Sequence, residues 1–232
     1  MKEWKVCVTV LSKGTKEAIS KIKKAEQLAD LIELRLDYME EFNLRDLINA
    51  TTLPLLITYR SPEEGGFKKD IDPYKKIESL KEAIELGVEY VDIEYEFEKA
   101  LRDELIRNKG KANLVLSKHF FEPVNHKILE EYAKRLFDEG ADIGKLIGYA
   151  SCWEDNLIFL NLVEKYSRMG YKFISFAMGP YGTISRIMCP MLGGAWTYAC
   201  LSEEEKAASG QLTVYNIKKI WELITGAKLS EQ

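Results

Sequence analysis

The chain predicts a parallel (β/α)8 TIM barrel formed as a single domain over residues 1–232. Three observations carry that expectation. Short apolar segments rich in β-branched residues alternate with segments of helical periodicity along the whole chain. Eight strands are counted in this way, the number that closes a barrel. Several of them end in charged or polar residues, and closure brings all such ends to one mouth. An open doubly wound sheet is the competing architecture. Its glycine-rich phosphate turn belongs after the first strand, and Leu11-Ser-Lys-Gly-Thr15 has no such fingerprint.

Taken in order, Lys5 to Leu11 alternates as a strand and Lys16 to Ala29 carries Ala18, Ile19, Ile22, Ala25, Leu28 and Ala29 on one helical stripe. The second strand, Leu31 to Asp37, sets Glu33, Arg35 and Asp37 on the face opposite Ile32, Leu34 and Leu36. Leu44 to Ala50 is a short helix at most. Pro54 to Arg60 is a third strand, followed by the loop Ser61-Pro-Glu-Glu-Gly-Gly66, and Pro73 to Leu86 is a helix stopped by Gly87. Tyr90 to Tyr95 repeats the strand pattern with Asp92 and Glu94 on one face, and a helix runs to about Arg107. Ala112 to His119 is the fifth strand. A helix then follows with Ile128, Leu129, Tyr132, Ala133, Leu136 and Phe137 facing inward, and Gly140 leads into the sixth strand, which holds Lys145. Leu157 to Tyr166 reads as helix, Lys172 to Met178 as strand, Gly179 to Arg186 as a glycine-rich loop bearing a cation, and Ala195 to Cys200 as the eighth strand. A polar loop to Gln211 precedes a closing helix with Val214, Ile217, Ile220, Trp221 and Ile224 on its stripe.

Composition narrows the function. The 232 residues are 46% hydrophobic and 30% charged, and no Pro/Gly/Ser-rich spacer divides them. A formal charge of −4 lacks the basic excess of a nucleic-acid surface. There is no run of about eighteen apolar residues such as a membrane span needs, and Met1 to Leu11 lacks the apolar core of a signal peptide, so a soluble, cytoplasmic protein is expected. Cys7, Cys152, Cys189 and Cys200 are far apart and show neither a disulfide framework nor a metal-ligand spacing, which leaves buried thiols.

Lys145 is the residue that asks for chemistry. It interrupts Gly140-Ala-Asp-Ile-Gly-Lys-Leu-Ile-Gly-Tyr-Ala150, a run that otherwise reads as a buried strand. A lysine there must reach water at the strand end or be desolvated, and desolvation favours the neutral, nucleophilic amine. Strand ends and following loops add Glu33, Arg35, Arg60, Glu94, His119, Arg186 and Gln211. Each has an ordinary reading by itself: Glu33 with Arg35 as a structural ion pair, His119 as a satisfied core histidine, Arg186 as a surface charge. Their convergence at one mouth favours a site. An amine attacks a ketone to give an imine, and the protonated imine accepts electrons from a carbanion at the neighbouring carbon. An imidazole removes that carbon's proton and returns it to a departing hydroxyl, with no metal. His126 follows Asn125 at a helix start and is taken as structural.

Glu33-Leu-Arg-Leu-Asp37, Thr58-Tyr-Arg-Ser-Pro-Glu-Glu-Gly-Gly66, Asp92-Ile-Glu94, Ser117-Lys-His119, Ala141-Asp-Ile-Gly-Lys145, Met178-Gly-Pro-Tyr-Gly-Thr-Ile-Ser-Arg186 and Gly210-Gln211 together resemble type I 3-dehydroquinate dehydratase, in order and over nearly the whole chain. The resemblance implies a homodimeric barrel that dehydrates 3-dehydroquinate to 3-dehydroshikimate in the shikimate pathway without a cofactor. It also implies that Lys145 forms the Schiff base, His119 is acid and base, Glu94 orients His119, Glu33, Arg35 and Arg60 grip substrate hydroxyls, and Arg186 with Gln211 takes the carboxylate. The loop from Glu63 to Gly66 and the segment before Gln211 would close over the ligand. Two positions depart from the family pattern: Phe120 follows the histidine where an acidic or amide residue is common, and Ala207 stands where a serine is frequent, with Ser209 nearby. A class I aldolase also uses a barrel lysine, but no phosphate-binding loop of the barrel type is evident. A non-catalytic binding barrel would be expected to lose Lys145 or His119, and both are present.

Overall fold

A computed structural model describes residues 4–226. Its strands are β1 (Val6–Val10), β2 (Leu31–Arg35), β3 (Leu55–Thr58), β4 (Tyr90–Glu94), β5 (Asn113–His119), β6 (Ile143–Tyr149), β7 (Lys172–Met178) and β8 (Thr197–Ala199). The helices are α1 (Thr15–Ala25), α2 (Leu44–Ile48), α3 (Pro73–Glu85), α4 (Lys99–Arg107), α5 (His126–Asp138), α6 (Asn156–Arg168), α7 (Thr183–Met191) and α8 (Val214–Thr225). All eight strands are parallel in one sheet of order β7-β6-β5-β4-β3-β2-β1-β8. The expected (β/α)8 barrel is therefore the fold.

The ring has a seam. Among the described residues no ladder joins β7 to β8. The gap is spanned by the Ala195 N–H, which donates to the Phe173 carbonyl at 2.9 Å, and by the rings of Phe176 and Tyr198, 6.2 Å apart.

Local chemistry explains the helices. Asn125 accepts the Ile128 N–H at 3.0 Å and starts α5, so His126 is its exposed first residue. Asp72 caps α3, with Pro73 in its first turn. The α8 stripe buries Val214, Ile217 and Trp221, while Ile224 faces out. The expected loop from Gly179 to Arg186 is shorter than read: Pro180–Gly182 is a 3-10 turn, and Arg186 lies on α7. Glycines ahead of the helix and Pro190 in its last turn obscured it, since a proline there removes an i→i−4 hydrogen bond and reads as a helix breaker. Cys7, Cys189 and Cys200 are buried free thiols, and Cys152 is exposed. No described helix is long and apolar enough to cross a membrane.

Two glycines fix the strand that carries Lys145. On the outer face of β6, a Cβ at Gly148 would sit 2.5 Å from the Phe159 ring of α6, and one at Gly144 would sit 2.9 Å from Phe137 and Phe173. The helices lie directly against this backbone. Gly148→Ala is expected to lose about 1–3 kcal/mol of stability through overpacking, read as a lower urea midpoint at unchanged slope.

Candidate active site

Alternation along parallel strands in register places the inward side chains in layers. Lys145 pairs in register with Ser117, and Ser117 with Glu94. The inward faces surround a cavity of about 250 Å³ lined by Glu33, Arg35, Arg60, His119, Lys145, Arg186 and Gln211, seven of the eight residues expected from the sequence. Glu94 lies behind this wall.

Lys145 neither reaches water nor stands alone. It is buried, its Nζ donates to Asp92 Oδ2 at 3.0 Å, and it sits 4.5 Å from the centre of the Tyr198 ring. Asp92 is held at the same time by Arg60 at 2.8 Å and by the Ser117 hydroxyl at 2.7 Å. Burial alone would raise the Asp92 pKa, but Arg60 and Lys145 outweigh it and hold the carboxyl well below the usual range. Asp92 is therefore the fixed anion beneath the amine.

The partner of His119 corrects the sequence reading. Glu94 was expected to orient the imidazole, yet its carboxylate accepts the Ser61 N–H at 2.7 Å and pairs with Lys76 and, at 3.4 Å, with Arg60. The carboxylate on His119 is Glu64, whose Oε2 lies 3.0 Å from both the ring Nδ1 and the backbone N–H. Glu63 and Glu64 are adjacent in a glycine-ended loop, so no periodicity could say which one turns inward; the 3-10 turn Pro62–Glu64 buries Glu64 and exposes Glu63. Gly66 closes that turn, since a Cβ there would collide with the Arg60 carbonyl at 2.1 Å.

Burial, then Arg60 and Lys145, push His119 well below the ordinary histidine value, against the pull of Asp92 and Glu94. The ring is neutral near pH 7. With Nδ1–H donated to Glu64, Nε2 carries the lone pair.

The three expected arginines differ in kind. Arg35 makes a bidentate pair with Asp37 at 2.8 and 2.7 Å, and Asp37 also accepts the N–H groups of Arg60 and Phe67. Arg60 contacts Asp92, the Ser117 hydroxyl, Glu94 and Glu64. Arg186 has no carboxylate partner among the described residues. Its NH2 reaches only the Ser209 carbonyl at 3.4 Å, its Nε is unbonded, and burial pushes its pKa down to about 10. Glu33 accepts the hydroxyls of Thr9 and Thr58, each at 2.9 Å. Gln211 accepts the Ala207 N–H at 2.7 Å through Oε1, which leaves its amide N–H groups for a ligand.

A family model described as type I 3-dehydroquinase matches residues 6–228. The chain belongs to that family. It is 33% identical over 223 residues to the 3-dehydroquinate dehydratase of Methanococcus maripaludis strain C7, covering 94% of this chain and 99% of that one. To the Pyrococcus abyssi 3-dehydroquinate dehydratase it is 33% identical over 222 residues, covering 94% and 98%. Among solved structures, the Aquifex aeolicus 3-dehydroquinate dehydratase superposes with a TM-score of 0.77 at 26% identity, covering 94% of this chain and 97% of that one. The type I enzyme of Clostridium difficile with covalently modified comenic acid superposes at 0.86 and 24% identity, covering 97% and 95%, a likeness of fold.

The two departures from the type I 3-dehydroquinase pattern have structural settings. Phe120 turns toward α5, edge-on to Tyr132 at 5.1 Å, so it packs a helix rather than the site. Ala207, Ala208 and Ser209 line the cavity. Sequence reasoning assigned no individual role to Asp37, Glu64, Lys76, Asp92 or Tyr198; the motifs contained all three acids, but only the folded chain reveals whom they face.

The buried titrations share one sign. His119 has a folded pKa below 6.5 and Asp92 one below 3.8, so in each case the unfolded chain takes up the proton first as pH falls. Stability is expected to decline as pH drops through 6.5 and again below 3.8, with a slope of up to about 1.4 kcal/mol per pH unit for each proton. Urea unfolding of the wild type and of His119→Gln across pH 5–7.5 checks this; the histidine part of the slope should vanish in the variant.

Proposed function

We propose that this protein is a type I 3-dehydroquinate dehydratase that converts 3-dehydroquinate to 3-dehydroshikimate and water through a Schiff base on Lys145. The observation that carries the reading is one cavity lined by a buried lysine, a neutral histidine and an arginine without an acid of its own. A hydroxylated ketone bearing one carboxylate matches all three: the ketone against Lys145, the anion on Arg186 and Gln211, and hydroxyls toward Glu33, Arg35 and Arg60.

The steps follow from the residues. The Lys145 ammonium passes a proton to His119 Nε2 and the amine adds to the ketone carbon; the nitrogen's second proton moves to the adduct oxygen, and that hydroxyl takes back the proton held by His119 and leaves as water, giving a protonated imine beside Asp92. That carboxylate keeps a cationic partner throughout. His119 Nε2 removes a proton from the carbon next to the imine, and the electron pair moves into the carbon–nitrogen system as an enamine. The enamine then expels the β-hydroxyl, which receives the proton held by His119 and leaves as water. Hydrolysis of the conjugated imine returns the ketone and frees Lys145. Glu64 fixes the tautomer that makes this exchange possible.

A shikimate-pathway role, a cytoplasmic location and a homodimer belong to the same proposal. The half-exposed, edge-on pair Trp153 and Tyr181 supports a protein–protein contact.

Incubation with 3-dehydroquinate, with absorbance of the conjugated enone followed and borohydride trapping analysed by peptide mass, tests the reading. Enone growth with an adduct on Lys145 is expected; enone without adduct would sink the Schiff base, and neither signal would sink the activity. Arg186→Met removes hydrogen bonds from a charged donor to the carboxylate, worth about 1.5–3 kcal/mol, so KM is expected to rise roughly 10- to 100-fold with a smaller change in kcat.

A further inference from the structure

Lys76 is a cation with no part in the cavity. It projects from α3, is fully buried, and lies 4.4 Å from the centre of the Phe97 ring. A methionine could fill that space and pack on Phe97 without desolvating a charge, so the ammonium needs its own explanation. Its partners supply one. The Nζ donates to Glu94 and, at 2.8 Å, to the Ser61 hydroxyl, while the other Glu94 oxygen accepts the Ser61 N–H at 2.7 Å. Lysine and glutamate thus clasp one residue by side chain and backbone.

Ser61 is the residue from which the catalytic loop turns. Its carbonyl accepts the N–H groups of Glu64 at 3.0 Å and Gly66 at 2.9 Å. Those two bonds define the turn that directs Glu64 onto His119. The opposite strap is Asp37, which accepts from Arg60 and Phe67 on either side of the same loop. Lys76 also sets the charge available to Arg60. With Glu94 neutralised from behind, the Arg60 guanidinium stays on Asp92 at 2.8 Å and Ser117 at 2.8 Å instead of being drawn further toward Glu94.

We propose that Lys76 is a positioning residue for the reaction: by clasping Glu94 and Ser61 it holds the loop that seats Glu64 on His119. The inference rests on the dehydratase reading for its kinetic consequence, though not for its structural one. The groups that face His119 are Glu64 from the loop, Arg60 from the end of β3, Asp92 and Glu94 from β4, and Lys145 from β6. Loss of Lys76 leaves Glu94 less neutralised and the Glu64 contact looser, and the Glu94 field raises the affinity of His119 for a proton.

The test is Lys76→Met with Lys76→Arg beside it, in the full chain. In folded Lys76→Met, kcat is expected to fall roughly tenfold while KM stays within about threefold, with partial recovery in Lys76→Arg. The acid limb of the kcat profile is expected to move up by about half a pH unit. The imidazole of His119, one of only two histidines, is titrated by NMR without substrate and should show the same upward shift. Wild-type kcat together with an unmoved His119 titration in folded Lys76→Met would overturn the proposal. If that variant does not fold, Ser61→Ala decides, since it deletes one half of the clasp and keeps the backbone N–H; a fall in kcat of about threefold or more is expected, and unchanged kcat overturns the proposal. An inactive wild type would sink the dehydratase reading, while the substrate-free titration would still judge the clasp.

Discussion

The mouth of this barrel depends on a guanidinium that cannot reach water. Arg60 is 3% exposed and is surrounded by three carboxylates and a serine hydroxyl contributed by β4, β5 and the loop after β3. A buried charge of this kind is tolerable only when every neighbour is correctly placed. Burial lowers its proton affinity, but Asp92, Glu94 and Glu64 more than restore it, so Arg60 stays charged throughout the working range. Asp92 in turn carries Lys145, and Glu64 carries His119. Lys145 and His119 are thus tied to one cation, and each reports the position of the other.

That arrangement gives Lys145 and His119 different electrostatic settings within a single cavity. The lysine has an anion fixed against it, while the histidine feels two nearby cations and the apolar wall before it feels any carboxylate. The neutral imidazole beside an amine seated on an anion therefore comes from where Arg60 stands. Arg186 is left apart from this network, with no acidic partner among the described residues.

The fold was legible because periodicity is a property of single elements: strands of alternating character and striped helices announce themselves one at a time. The boundary of α7 was not, because glycines and Pro190 hide a helix whose first turn follows directly on a 3-10 turn. At the site, residues on strands such as Glu33, Lys145 and His119 could be placed from the alternation alone. Glu94 could be placed on the inward face of β4, but not its contacts, because these are decided by Lys76 from a helix and by Ser61 from a loop. The same limit applied to Glu64. Spacing predicts which way a strand residue points; it says nothing about which loop carboxylate folds back to meet it.

The seam between β7 and β8 gives this geometry a mechanical side. Arg186 belongs to the helix following β7, and Gln211 to the segment following β8, so an anion held by both would span the one junction where, among the described residues, no strand ladder forms. The ligand would then act as a removable rung. The barrel would be most firmly closed while its cavity is filled, and release of product would slacken the seam beside the mouth.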